Sequence, residues 1–419
     1  MLTDDDRALG VRLLAQADAL AAFTEEAPAL TRTYLGPQHR AAGDYLAALM
    51  REAGMDASYD ALGNLVGRYP GAQPDAPVLM IGSHMDSVRN AGRYDGLFGI
   101  LSAIACVAGL HARGARLPVA LEVVAFGDEE GVRFGITLIG SKAMAGAFDP
   151  AWLAVRDRDG ISLREALVAF GADPDAWPSV DRRACPPIAF LESHIEQGPV
   201  LLQEGLPVGV VTAIAGAQRA LVHLTGLAGH AGTVPMGSRQ DALAAAAEMV
   251  LAVERIALAR GDVVATVGRL EARPGAVNVI PQDVSFSLDV RSGRDDIRRA
   301  AMAEIDAACV AIAARRGIAL RREPLYQADA APCDPRLQAC LAQAIAARGL
   351  PVRHLPSGAG HDAMAFPALA PMAMLFVRCG NGGISHHPDE VLDAEDAAIA
   401  TRVLADALAG VAGALQQPA

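Results

Sequence analysis

Continuous apolar runs and strictly alternating ones occupy different parts of the chain. Val78-Leu79-Met80-Ile81 is unbroken, and it predicts a buried strand over 78–83. Residues 97–113 have helical length and an apolar, small-residue composition, and 119–126, with Leu121, Val123 and Val124, is β-like again. Strands that are apolar throughout and separated by helices belong to a largely parallel sheet covered on both faces. Near residue 216 the pattern changes. In 219–225, Ala220, Val222 and Leu224 alternate with Leu221, His223 and Thr225, and Val284, Phe286, Leu288 and Val290 alternate with polar residues. Long helices are expected over 241–260 and 294–316, the second ended by Gly317, with further strands over 263–270 and 318–322. That order, β-α-β-β-α-β, is the ferredoxin-like arrangement. From about 329 the first style returns, with a helix over 336–348, a strand over 371–377 and a helix over 393–415. The expectation is an α/β fold: a mixed, largely parallel sheet covered by helices, built from residues 1–215 and 329–419, with an inserted ferredoxin-like α+β domain at 216–328.

A chain of 419 residues exceeds one ordinary core, which agrees with two domains. It is 52% hydrophobic, yet no apolar run reaches about 18 residues, so no membrane span is expected. The start, MLTDDDRALG, has neither the basic nor the apolar region of a secretory signal. A net charge of −12 argues against nucleic acid or an anionic membrane as partner, although a local pair of arginines could still receive an anionic substrate. Six cysteines, none in a C-x-x-C pair, are expected to be reduced thiols in a cytoplasmic protein. Any metal would then be held by nitrogen and oxygen.

In parallel sheets of this kind, ligands sit beyond the carboxyl ends of the strands. Four acid- and histidine-bearing stretches carry the candidate chemistry. GSHMDSVRNAGRYDG (82–96) places His84 at a strand end, Asp86 where it can accept the other imidazole N–H, and Asp95 in a glycine-flanked turn before a helix. GDEEGVRFG (127–135) puts Glu129 and Glu130 side by side; near a metal, one can bind it and the other can act as a general base. LESHIEQGPVL (191–201) holds His194 between two glutamates, and GISHHPDE (383–390) offers two histidines. Taken singly, each has a plainer structural reading. Together they bring histidines and acids to strand ends or glycine-rich turns, which suits zinc, manganese, cobalt or nickel. No serine sits in a G-x-S-x-G elbow, and no dinucleotide or nucleotide phosphate loop is present, so serine hydrolases, dehydrogenases and NTPases fit poorly.

The series GSHMDSV, GRYDGLFGI, DEEGVRFG, SHIEQGPVL, AGHAGTVPM, RPGAVNVIP, DVRS, SGAGHDAM and GISHHPDE resembles the amidase, hydantoinase/carbamoylase family of metal-dependent amidohydrolases, within the dinuclear zinc-peptidase, aminoacylase-like group. The resemblance spans nearly the whole chain. It implies two divalent ions (Zn, Mn, Co or Ni) held by His84, Asp95, Glu130, His194 and His386. Asp95 would bridge them, His84 would serve one ion, and His194 or Glu130 would complete the sets. The pattern S-H-x-P-x-E selects His386 and leaves His387 at the variable place. Glu129 would be the general base and Asp86 the acid that orients His84. In the inserted domain, expected to be a lid and to form a homodimer, His230 would polarise the scissile carbonyl. Asn278 and Arg291 would clamp a carboxylate, with Gln197 from the main domain and backbone donors over 358–361, Gly358 and Ala359 among them, completing the substrate site.

The reaction so implied is hydrolysis of a ureido C–N bond in a small carboxylate-bearing substrate, with an N-carbamoyl-L-amino acid first. Allantoate or ureidoglycolate is the alternative, because both present a carboxylate beside a ureido group. A deacylase or dipeptidase of the wider group, and a scaffold without catalysis, are the other classes; the scaffold should have lost the base or a ligand, and all are present. Whether His230 would serve its own subunit or the neighbour's stays open at this stage.

Overall fold

The computed structural model of the chain describes residues 2–415. It divides into two compact units. One comprises the chain up to Thr212, Cys333–Leu355 and the chain from Ala359 onward; the other comprises Ala213–Pro332 with Pro356–Gly358.

The first unit is built on a sheet in the order Asp56–Tyr59, Leu65–Tyr69, Ala120–Phe126, Val78–His84, Ala189–Ile195, Met372–Val377 and Val208–Ile214. The four central strands run parallel, and the flanking ones pair antiparallel. Burial explains the unbroken apolar runs: every residue of Ala120–Phe126 and of Ala189–Ile195 is buried, so neither face has a solvent side to populate with polar residues. The two buried glutamates in these strands are answered: Glu122 by Arg68 at 2.8 Å and Arg182 at 3.2 Å, and Glu192 by the Ser83 hydroxyl at 2.7 Å and the Ala363 amide at 3.0 Å. The helix Leu97–Ala112 packs closely on this sheet. A Cβ at Gly99 would lie 2.2 Å from the Ser193 carbonyl oxygen, so only glycine permits that approach. The parallel register sets His84 opposite Phe126, and His194 opposite Phe376. The turns that follow these strands therefore leave from one edge of the sheet, where such folds place their sites.

In the second unit an antiparallel sheet runs Leu270–Arg273, Asp283–Ser292, Gly216–Thr225 and Ala319–Ala328, with Val264–Thr266 also paired to Asp283–Ser292. This is the ferredoxin-like order: second, third, first, fourth. Val222, Leu224, Phe286 and Leu288 face Met249, Val253, Ile305 and Ile312 from the helices Ala242–Arg260 and Asp295–Arg316 in one core. The Asp241 carboxylate caps the first helix by accepting from the amides of Leu243 and Ala244. Gly317, at φ 65°, ends the second in the left-handed region.

Two expectations need correcting here. The single strand expected over 263–270 is two short ones interrupted around Gly268, where the Arg269 amide donates to Ser287 Oγ and the Arg269 carbonyl accepts from the Ser287 amide. The strand expected over 318–322 runs ten residues to Ala328, because an edge strand tolerates the proline and exposed charges of Arg-Arg-Glu-Pro, at the cost of a register shift between Pro324 and Tyr326. Among the described residues, no helix is long and apolar enough to cross a membrane.

Candidate metal centre

His84 ends its strand fully buried. Its Nδ1 lies 3.1 Å from the Asp86 carbonyl oxygen, and a carbonyl can only accept. In the neutral ring Nδ1 therefore carries the hydrogen, and Nε2 keeps its lone pair toward Asp95 Oδ1, 3.7 Å away. His194 repeats the arrangement: Nδ1 donates to the Ile195 carbonyl at 2.9 Å, and Nε2 is 3.2 Å from the same Asp95 oxygen. The other Asp95 oxygen, Oδ2, is 3.1 Å from His386 Nε2, which in turn is 3.6 Å from Glu130 Oε1. Potential ligand atoms thus form two sets that share Asp95, namely His84–Asp95–His194 and Asp95–Glu130–His386, each with its atoms within 4.8 Å of one another. His387 stands apart, exposed, with Nδ1 accepting from the Asp389 amide at 3.2 Å.

The side chain of Asp86 does something the sequence did not suggest. Its oxygens accept the amides of Glu129 (3.1 Å) and Glu130 (3.2 Å), so it fixes the turn that carries both glutamates as well as facing His84. Gln197 likewise turns toward the cluster, donating from Nε2 to Asp95 Oδ1 at 3.1 Å and to Ser385 Oγ at 3.2 Å. Backbone strain collects here. Asp128, Gln197 and His386 are non-glycine residues at φ 59°, 55° and 55°, a conformation that surrounding structure must enforce.

Electrostatics call for cations. Burial opposes ionisation of Asp95, but His194, His386 and His84, which in their charged forms direct Nε2–H groups at it, outweigh burial and hold this carboxyl well below its usual range. The contact with Asp95 pushes His386 up to about 9, against burial. Burial and the neighbouring Asp95 raise Glu130 to about 7. Burial also lifts Glu129 well above the carboxylate range; His84 opposes this, while Glu130, Asp362 and Asp86 add to it. Glu130 Oε1 is buried without a hydrogen-bond partner. A donor set of imidazole nitrogens and carboxylate oxygens, with one acceptor left unsatisfied and no thiolate, fits a pair of divalent cations.

The remaining expected site residues belong to the second unit, apart from Ala359, which lies at a junction of the first. The short strand Gly229–His230 pairs with Val279–Ile280, and the Ala231 amide donates to the Asn278 carbonyl at 2.9 Å. His230 Nδ1 accepts from the Gly232 amide at 3.1 Å, so the neutral ring carries its hydrogen on Nε2 and is a donor on its exposed side. Arg291 is already engaged: Nε and Nη2 bind the Asp289 carboxylate at 3.0 and 2.9 Å, and Nη1 donates to the Gly358 carbonyl at 2.8 Å. Three of its five N–H groups are used, which leaves one on Nη1 and one on Nη2. Gly358 is therefore an acceptor for Arg291 through its carbonyl. The sequence reading missed Asp289 as the partner of Arg291, and it also missed Ser385 and Glu390. The last two lie inside a quoted motif and bond each other, but their other partners, Gln197, Tyr94 and Asp95, are far away in the chain.

The profile of the peptidase family M20/M25/M40 matches residues 80–410. An N-carbamoyl-L-amino acid amidohydrolase of Geobacillus stearothermophilus is 42% identical over 375 residues, covering 90% of this chain and 91% of that protein. Allantoate deiminase 1 of Glycine max is 39% identical over 396 residues, covering 87% of this chain and 82% of its own. Among solved structures, an amidase of the hydantoinase/carbamoylase family from Burkholderia multivorans superposes with a TM-score of 0.91 at 32% identity, covering 98% of both chains.

Proposed function

We infer the activity from one premise: the chain belongs to the peptidase family M20/M25/M40. The reaction its site supports best is hydrolysis of the ureido C–N bond of a small carboxylate-bearing substrate, most directly an N-carbamoyl-L-amino acid. The observation that carries this reading is the shared carboxylate, Asp95, with His84 and His194 on one oxygen and His386 on the other. The relatives' names supply the substrate class.

His84, Asp95 and His194 would hold one divalent ion, and Asp95, Glu130 and His386 the other. When bound, the ions would supply Lewis acidity toward the carbonyl and toward water. Glu129 is the proton carrier. It takes a proton from the attacking water and returns it to the leaving nitrogen, and burial, which favours the protonated carboxyl, supports that role. Asp86 keeps this turn in place through the two glutamate amides. His230 offers its Nε2–H to the oxyanion, and Arg291 its two remaining N–H groups to the substrate carboxylate, with Asp289 fixing the guanidinium plane. Asn278 completes the clamp, as do the backbone at Gly358 and Ala359. Gln197, whose amide hydrogens are directed to Asp95 and Ser385, can meet a substrate only through its carbonyl oxygen. For an N-carbamoyl amino acid the products are the free amino acid, carbon dioxide and ammonia.

Allantoate or ureidoglycolate is the second reading, favoured by the similarity to an allantoate deiminase. A homodimer through the second unit fits the exposed apolar side chains on one of its helices, Leu251 at 65% and Leu258 at 78%. The described cysteines are free thiols, five of them buried, which fits a reducing cytoplasm. The test is a hydrolysis panel of allantoate, ureidoglycolate, N-carbamoyl-β-alanine and several N-carbamoyl-L-amino acids, with Mn, Co, Ni or Zn restored to chelated protein. Ammonia release from one ureido class is expected. Cleavage of N-acetyl amino acids or dipeptides with no ureido turnover would replace this reading with a deacylase or peptidase.

A further inference from the structure

Glu390 is a buried carboxylate with no cationic partner among the described residues. Its Oε1 accepts the amides of Tyr94 (2.8 Å) and Asp95 (3.2 Å), and its Oε2 accepts the Ser385 hydroxyl at 2.7 Å. Ser385 precedes His386, and its Oγ also receives Gln197 Nε2, which reaches Asp95 Oδ1 as well. The result is a closed ring running from the Asp95 backbone to Glu390, Ser385, Gln197 and back to the Asp95 side chain. Each donor in the ring has an acceptor and the single Ser385 hydrogen is used once. Burying a carboxylate against neutral donors alone is costly, so the contacts it makes should matter for more than local charge balance. Gly92 is cut to fit: a Cβ there would lie 2.3 Å from both Glu390 Oε1 and Cδ. Asp86 receives the amides of Glu129 and Glu130 in the same two-amide manner, so the device occurs twice around one cluster.

We propose that Glu390 is a positioning residue: it ties the turn carrying Asp95 to the loop carrying His386 and thereby sets the affinity of the Asp95–Glu130–His386 set for its ion. This rests on reading the cluster as a two-ion centre and is independent of which substrate is cleaved. The two ligand sets are supported differently. His84 and His194 stand on strand ends with their Nδ1 atoms held by backbone carbonyls. His386 sits at φ 55° on a loop, in a side chain that is 49% exposed, and the ring through Ser385 and Glu390 is what connects it to Asp95 beyond their direct contact. Loss of Glu390 should therefore fall on one ion more than on the other.

The experiment is a stepwise titration of metal-free protein with Zn(II) or Co(II), followed by calorimetry and by metal content after dialysis, with thermal melting of the metal-free forms alongside. Wild type should take up two ions. Glu390→Ala should bind one ion as wild type does and the other about 10–100-fold more weakly, the usual cost of losing an outer partner of a metal ligand. Gly92→Ala, which displaces the glutamate without removing it and asks for no left-handed backbone, should reproduce that selective loss. Glu390→Gln keeps an oxygen for both amides and should fall between Ala and wild type. Unchanged two-ion binding in Glu390→Ala overturns the proposal. So does equal weakening of both steps together with a lowered melting temperature of the metal-free protein, since that is what a merely structural residue would give. A glutamine variant no better than alanine would rule out the amide contacts as the cause. If wild type itself binds no ions, the two-ion reading falls and this proposal with it; if wild type binds two ions but cleaves no ureido compound, only the substrate reading falls.

Discussion

Glu129 and Glu130 are neighbours in the chain with different surroundings, and the difference suits the separate tasks proposed for them. Glu130 reaches His386 and leaves one oxygen without a hydrogen-bond partner, as a ligand should, whereas Glu129 is held above the carboxylate range by burial, as a proton carrier should be. Glu129→Gln keeps the shape and the hydrogen bond from its backbone N–H to Asp86, so the protein should still hold two ions while kcat falls by about 10²–10⁴, the usual worth of a general base. Steady-state kinetics with metal analysis checks this, and a variant within a few-fold of wild type would remove Glu129 from that role. The pH dependence of metal binding follows from His386 and Glu130. In the metal-free protein His386 is raised to about 9 and Glu130 to about 7, and an ion needs both deprotonated. Between pH 7 and 9 ion uptake must expel one proton, so affinity at the Asp95–Glu130–His386 set should rise about tenfold per pH unit and fall more steeply below pH 7. Calorimetry in buffers of different ionisation enthalpy measures the released protons, and an affinity flat from pH 7 to 9 would contradict it. In the sequence His386 is preferred over His387 only by motif register; in the structure His386 faces Asp95 and His387 its own turn, which supports that preference.

Among the elements, the four parallel strands were readable because both of their faces are buried, and the alternating strands because only one face is. What was not readable was how turns far apart in sequence hold each other. Tyr94 and Glu390 are 296 residues apart, and nothing in the spacing of either motif announces the contact. Glycine was the nearest thing to a signal. Gly96 precedes the helix Leu97–Ala112 at φ 67°, and a Cβ there would sit 2.4 Å from the His84 carbonyl oxygen and 2.6 Å from its imidazole. Gly96→Ala should therefore disturb His84 and the Asp95 turn together, adding a left-handed backbone cost of about 1–2 kcal/mol. The expected result is a modest drop in melting temperature with a marked loss of bound metal. Metal retained at two ions per chain would show that the turn relaxes without moving its ligands. The polar edge strand Ala319–Ala328 misled the reading for the opposite reason: solvent on most of its length erases the alternation that marks a strand.

At the scale of the whole molecule, the proposed ligands and base belong to one compact unit, while His230, Asn278 and Arg291 belong to the other. A reaction that uses both sets needs both units, and the resemblance leaves open whether His230 comes from the same subunit. Mixing His230→Ala with Glu129→Gln protein under subunit exchange separates the cases. If His230 serves the neighbouring subunit, each mixed dimer holds one site with both defects and one with neither, and activity should reappear. No recovery, with exchange verified by mass measurement, would keep His230 within its own subunit or outside catalysis.

The central claim, that the Asp95-centred cluster is a two-ion site cleaving a ureido bond, is tested most directly by metal-dependent product stoichiometry. Chelated protein is titrated with Mn(II) or Zn(II) in the presence of an N-carbamoyl-L-amino acid, and ammonia and free amino acid are measured together. The prediction is no turnover without metal, a rise that saturates at two ions per chain, and one amino acid released for each ammonia. Ammonia release that survives complete chelation, or saturation of both ions with neither product formed from any ureido compound, would contradict it.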